Sequence, residues 1–178
     1  MLALGTKAPS FTLPDTLTNL SYDLSKQTID KGLVVMFICN HCPYVIHVIE
    51  GLVEMANQYK DQGFSFVAIS SNDVVRYPQD SPDKMKLWAE EQSFTFPYLY
   101  DESQEVAKAY DAACTPDFYV FNGDLNLVYR GQMDHSRPGN NIPVTGSDMK
   151  QVFDHMIKNK PISNFQKPSM GCGIKWKE

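Results

Sequence analysis

Apolar and polar positions change period several times along the chain, and each change predicts an element. Residues 33–38, Leu-Val-Val-Met-Phe-Ile, are apolar without a break, the pattern of a central strand covered on both faces. From Val45 the period becomes three and four. Val45, Val48, Ile49, Leu52, Val53, Met55 and Ala56 fall on one face of a helix over 43–60. Pro43 suits its first turn, where no N–H is needed. Residues 64–70 read as a second core strand, and Ser81-Pro82-Asp83 opens a helix over 83–92. A short strand near 98–100 and a short helix over 103–110 follow. Strands over 117–122 and 125–131, parted by Gly123-Asp124, make an antiparallel hairpin. A last helix covers 147–159. Residues 11–13, flanked by prolines, fit a short edge strand.

The order β-α-β-α-β-α-β-β-α predicts an α/β fold. Its parallel strands are joined by helical crossovers, and a hairpin makes the sheet mixed. Helices then cover both faces of that central mixed sheet. The chain of 178 residues fits one domain, 1–178, with an irregular tail over 161–178. Reaction sites in such sheets lie at the carboxyl ends of strands. The strand 33–38 ends at Cys39-Asn40-His41-Cys42.

Composition narrows the classes. Hydrophobic residues are 43% and charged residues 21%, which suits a soluble globular protein, and a net charge of -5 leaves no basic footprint for nucleic acid. No apolar run approaches the ~20 residues of a membrane helix. The start "MLALGTKAPSFTLPD" lacks the charged and apolar regions of a signal peptide, so a cytoplasmic location is expected. Four cysteines are too few for a disulfide scaffold. In a reducing compartment a close pair reads as a redox couple or as part of a metal site.

A thiol attacks as thiolate, and its ordinary pKa is about 8.5. The N-terminus of a helix stabilises an anion through its free N–H groups and dipole. This predicts Cys39, just before the first turn, as nucleophile, with Cys42 one turn on as the protected resolving thiol. His41 between them, if charged, favours the thiolate further and makes the pair more oxidising; otherwise it is an exposed loop residue. Thr115-Pro116 leads straight into a strand, where proline belongs at the first residue or in a tight turn.

Strand, CxxC, helix and a later Thr-Pro before a hairpin resemble the thioredoxin superfamily. "GTKAPSFTLPD" (5–15), "CNHCPYV", "YRGQMDHSRPGNN" and "PSMGCGIKW" are similar to its peroxiredoxin-like and TlpA-like branch, the alkyl hydroperoxide reductase/thiol-specific antioxidant group. The resemblance covers nearly the whole chain. It implies a thioredoxin-like three-layer fold and a redox-active Cys39–Cys42 pair. It also implies a cis Pro116 against that pair, with the backbone at Thr115 and Pro116 binding an extended thiol substrate. His41 inside the CxxC resembles the oxidising DsbA-type pairs. The sequence departs from these families at several positions. Cys39 and Val35 stand where peroxidatic peroxiredoxins have the Thr and Pro of PxxxTxxC. Leu33 stands where thioredoxins bury an acid, and Ile38 where they carry a tryptophan.

Three functions are open. The first is a thiol–disulfide oxidoreductase acting on protein or small-molecule thiols and disulfides, with no cofactor. The second is a thiol-dependent peroxidase acting on peroxide. The third is a copper- or zinc-binding protein using Cys39, Cys42 and His135. Cys172, between two glycines, is a candidate resolving thiol on a mobile tail, or an unused one. Cys114 reads as a small buried residue or as a partner of Cys172. Arg137 either steers an acidic substrate or caps a turn. Neither nucleic acid nor membrane is an expected partner.

Overall fold

A computed structural model describes residues 2–178. In chain order its elements are β1 (Thr12–Pro14), β2 (Ser21–Asp23), β3 (Gly32–Phe37), α1 (Pro43–Lys60), β4 (Phe64–Ser70), α2 (Pro82–Glu91), β5 (Tyr98–Tyr100), α3 (Glu105–Ala109), β6 (Cys114–Thr115), β7 (Asp117–Asn122), β8 (Leu127–Gly131), α4 (Ser147–Ile157) and β9 (Cys172–Gly173). The main sheet has the order β5-β4-β3-β7-β8. β3, β4 and β5 run parallel, while β7 pairs antiparallel with both β3 and β8. This is the mixed sheet that the alternation predicts.

β3 is central, and every residue in it is buried. Side chains alternate across a strand, so its two faces feed two cores. Val34, Met36 and Ile38 join a cluster with Val45, Leu52 and Val53 of α1, Met85 and Ala89 of α2, and Phe153 of α4. Leu33, Val35 and Phe37 join another with Phe11, Leu13, Ala107 and Tyr110. Helices α1, α2 and α4 therefore cover one face, while α3 and the N-terminal segment cover the other. An uninterrupted apolar strand is what two covered faces require. No helix among the described residues is long and apolar enough to cross a membrane.

The β7–β8 connection is longer than the two-residue turn expected. Asn122 Oδ1 accepts the N–H groups of Asp124 and Asn126 at 3.1 and 2.9 Å, and Leu125 turns in the left-handed region with φ 60. The second strand thus begins at Leu127. Two small sheets were not expected, β1 with β2 and β6 with β9. The second puts a strand inside the tail read as irregular.

Candidate active site

Between β3 and α1 the chain makes one short loop, 39–42. The helix begins at Pro43, so its N-cap is Cys42, and Cys39 lies three residues further back. This differs from the expectation that Cys39 sits at the helix end. Both cysteines are buried, at 1% and 0% exposure. Across from them, β6 ends at Thr115 and the Thr115–Pro116 bond is cis, as the resemblance implies. Thr115 touches both sulfurs. Its Oγ1 is 3.5 Å from Cys39 Sγ, and its carbonyl oxygen is 3.2 Å from Cys42 Sγ, which donates to it when protonated.

The two thiols ionise as a unit. The Cys39 S–H hydrogen-bonds to the Cys42 sulfur, which raises the Cys39 pKa; burial and the Asp80 carboxylate raise it further. The same bond lowers Cys42, to about 4, against the effect of burial; Cys172, Thr115 and the Val45 backbone N–H also favour its thiolate. One proton is shared and the charge rests on Cys42, the sulfur nearer the helix end. Sequence reasoning had put the anion on Cys39, taken as the residue just before the first turn, whereas the residue that caps the helix is Cys42.

Asp80 was not singled out from the sequence. It is fully buried on a single 3-10 turn, Pro78–Asp80. Its oxygens accept the Asn40 backbone N–H at 3.0 Å and Asn72 Nδ2 at 2.9 Å. His41 Nδ1 lies 2.7 Å from Asp80 Oδ2, and the imidazole stacks on Tyr77 at 5.7 Å between ring centroids. His41 is therefore a held residue and not a free loop side chain. Asn40 is fixed as well, donating to the Gln79 carbonyl and accepting from Tyr98 Oη. An acid thus reaches the CxxC loop from a neighbouring turn, while Leu33 on β3 stays in the apolar core.

Other candidates fall elsewhere. His135 does not join the cysteines: its ring lies against Asp148, at 3.8 Å, and Lys167. Among the described residues, the ligand atoms gathered closely enough for a metal ion are those of Cys39, His41 and Asp80, within 4.8 Å of one another. Arg137 turns inward to its own loop, donating to the carbonyls of Asp134 and Ser136 and to Gln132 Oε1. A small notch flanks Pro116, lined by Tyr44, Val48, Phe118 and Met170 together with the polar Gln132, Asp134, Ser136 and Arg137. Cys114 is partly buried, and burial pushes its thiol up to about 12.

The tail is where the structure departs most from expectation. Cys172 is on β9, directly opposite Thr115, and packs against the buried cluster that contains Cys39 and Cys42. The tail lies along the edge where an extended substrate was expected.

The AhpC/TSA family profile matches residues 4–130. A relative from Mycobacterium tuberculosis, provisionally named a peroxiredoxin, is 31% identical over 111 residues. That match covers 62% of this chain and 65% of the relative, so the chain spans a little under two thirds of its length. The thiol-disulfide oxidoreductase ResA of Geobacillus kaustophilus is 28% identical over 134 residues, 74% of this chain and 72% of ResA. The crystal structure of an uncharacterized conserved protein from Geobacillus kaustophilus is 55% identical. It covers 99% of this chain and 94% of that one, with a TM-score of 0.97.

Proposed function

This chain belongs to the AhpC/TSA family of the thioredoxin superfamily, and from that premise we propose that it is a thiol–disulfide oxidoreductase whose redox couple is Cys39 and Cys42. One observation carries the reading: both sulfurs lie within 3.5 Å of Thr115, the residue before a cis proline. The likeness to ResA supports the same chemistry.

In the reduced form the Cys42 thiolate is the base that the sequence lacked at Leu33. It takes the Cys39 proton as Cys39 attacks a substrate disulfide. A Cys39–substrate disulfide forms, and the first substrate thiolate leaves with the proton now on Cys42. Cys42 then gives up that proton to the departed substrate thiolate, attacks the Cys39 sulfur, expels the second substrate thiolate and closes the Cys39–Cys42 disulfide. In each step one S–S bond breaks and one forms, and the oxidising direction is the reverse. Asp80 and His41 fix the loop that carries Cys39.

Exchange with a dithiol substrate tests this. Cys39→Ser should lose it by at least about 100-fold, as for removal of a nucleophile that acts as one unit with its partner. Cys42→Ser should trap a mixed disulfide on Cys39. Full exchange by Cys39→Ser would end the proposal.

A second reading, thiol peroxidase, has one observation in its favour. Cys42 is ionised at a helix N-cap and aligns with the peroxidatic cysteine of that resemblance. Val35 and Cys39, in place of the Pro and Thr, count against it. Peroxide consumption with a thioredoxin reducing system would separate the two.

A further inference from the structure

The buried pair raises a question of access. Cys39 and Cys42 expose 1% and 0% of their surface, while Cys172 is partly exposed. At that burial neither sulfur is open to a folded protein thiol, yet the tail carries a thiol of its own to the residue both sulfurs touch.

The placement is built. β9 pairs with β6 in the register Thr115↔Cys172 and Cys114↔Gly173. Gly171 permits the approach, because a Cβ there would lie 1.9 Å from the Thr115 carbonyl oxygen. Beyond Cys172, Ile174 is buried and donates its N–H to Ala113 O at 3.2 Å. Lys175 is held through both backbone groups: its N–H donates to Asn72 Oδ1, and its carbonyl accepts from Asp73 N and Gln104 Nε2. Gln104 Oε1 also accepts the Lys177 N–H at 2.9 Å.

We propose that Cys172 is a third redox thiol, which exchanges with the Cys39–Cys42 disulfide to form a Cys42–Cys172 disulfide and so carries oxidising equivalents between the buried pair and partner thiols outside. The inference rests on the pair being the redox couple. In the step, the Cys172 thiolate attacks Cys42 Sγ. The Cys39–Cys42 bond breaks, the Cys42–Cys172 bond forms, and Cys39 leaves as thiolate and takes up the proton that Cys172 lost. No outside oxidant is consumed, and the exchange is reversible. A partner thiol then attacks the Cys172 sulfur, the more exposed end, and releases Cys42. The charges favour this order. In the reduced protein Cys172 is pushed up to about 11 by burial, by its hydrogen bond to Cys42 and by the Cys42 charge, with Lys175 opposing. Once Cys42 is in a disulfide, its thiolate is gone and Lys175 remains, so Cys172 ionises more readily when it is needed.

Disulfide mapping tests the proposal. The full chain is treated with one equivalent of oxidised glutathione, its free thiols are alkylated, and it is digested without reduction. Wild type should give Cys39–Cys42 and Cys42–Cys172 linkages, and Cys39→Ser only the latter. Cys114→Ser should leave the pattern unchanged. Full alkylation of Cys172 in both wild type and Cys39→Ser would overturn the relay. In kinetics, Cys172→Ser should still form the Cys39–Cys42 disulfide with glutathione but pass it to a folded protein dithiol at least tenfold more slowly. An unchanged rate also overturns the relay. Failure of Cys172→Ser to form the Cys39–Cys42 disulfide, with its Ile174 and Lys175 amides still protected from exchange, would instead sink the pair itself.

Discussion

The CxxC loop and the C-terminal tail bring sulfur to the same residue, Thr115, from distant parts of the chain, and different forces hold them there. The loop is clamped between β3, buried throughout, and α1, whose eight buried side chains pack against the sheet. The tail has no helix and a two-residue strand. It is held by backbone hydrogen bonds to Asn72, Asp73, Gln104 and Ala113 and by one buried side chain, Ile174. Apolar burial sets the loop as part of the global fold. Polar bonds at a sheet edge set the tail as a local structure, the kind expected to open at a lower free energy than the core. A pair that must stay dry and a thiol that must meet outside partners suit these two kinds of support.

The largest expected effect breaks the first side of this contrast. Phe37 is 1% exposed and packs edge-on against Tyr119 and beside Tyr110. Phe37→Ala should destabilise the whole protein by about 3–5 kcal/mol, read as a lower urea midpoint. A loss confined to the loop, with the midpoint unchanged, would show that the loop is not coupled to the core.

Gln104→Ala should have a smaller effect of a different kind. It removes the side chain that bonds to the Ser71 and Lys175 carbonyls and to the Lys177 N–H. The expected local opening is favoured by about 1–3 kcal/mol, seen as faster hydrogen exchange at Lys175 and Lys177. The urea midpoint should move less than for Phe37→Ala. Equal global loss in both variants would erase the distinction between the two regions.

The same division explains what could be read in the chain. Strand 33–38 and helix 43–60 were legible because covered faces impose apolar runs and three- and four-residue spacing. Pro116 and the two cysteines were legible through a motif. Asp80 was not, because a single acid on one 3-10 turn leaves no periodic trace, and what defines it is the set of partners Asn40, His41 and Asn72. β9 was not, because glycine and cysteine in a two-residue strand carry no alternation. Nor was the charge on Cys42, since it depends on partners that the spacing of two cysteines does not show: the bond from Cys39, and Cys172 and Thr115 brought in from distant segments. His135 was drawn toward the cysteines by residue type alone, but Asp148 and Lys167 hold it elsewhere.

The smallest expected effect joins the two regions. With Cys39 protonated and Cys42 ionised, reducing the disulfide takes up one proton for two electrons. The potential should then fall by about 30 mV per pH unit, against about 59 mV if both thiols were protonated. The one-proton window opens at the Cys42 value of about 4 and runs beyond the ordinary thiol value of 9.0, because Cys39 is raised. Linkage gives the sign. A folded pKa below the unfolded one adds stability to the reduced protein that is complete above 9.0 and is lost as pH falls through the folded value. The oxidised protein, with no Cys42 thiolate, lacks this dependence. Cys172 is among the groups that lower Cys42, so Cys172→Ala should move the lower end of the window upward. It should also move the pH at which reduced protein loses its thiolate absorbance in the same direction, while Cys114→Ala should not. If Cys172→Ala leaves that pH where it was, the tail only packs beside the pair and contributes nothing to its charge.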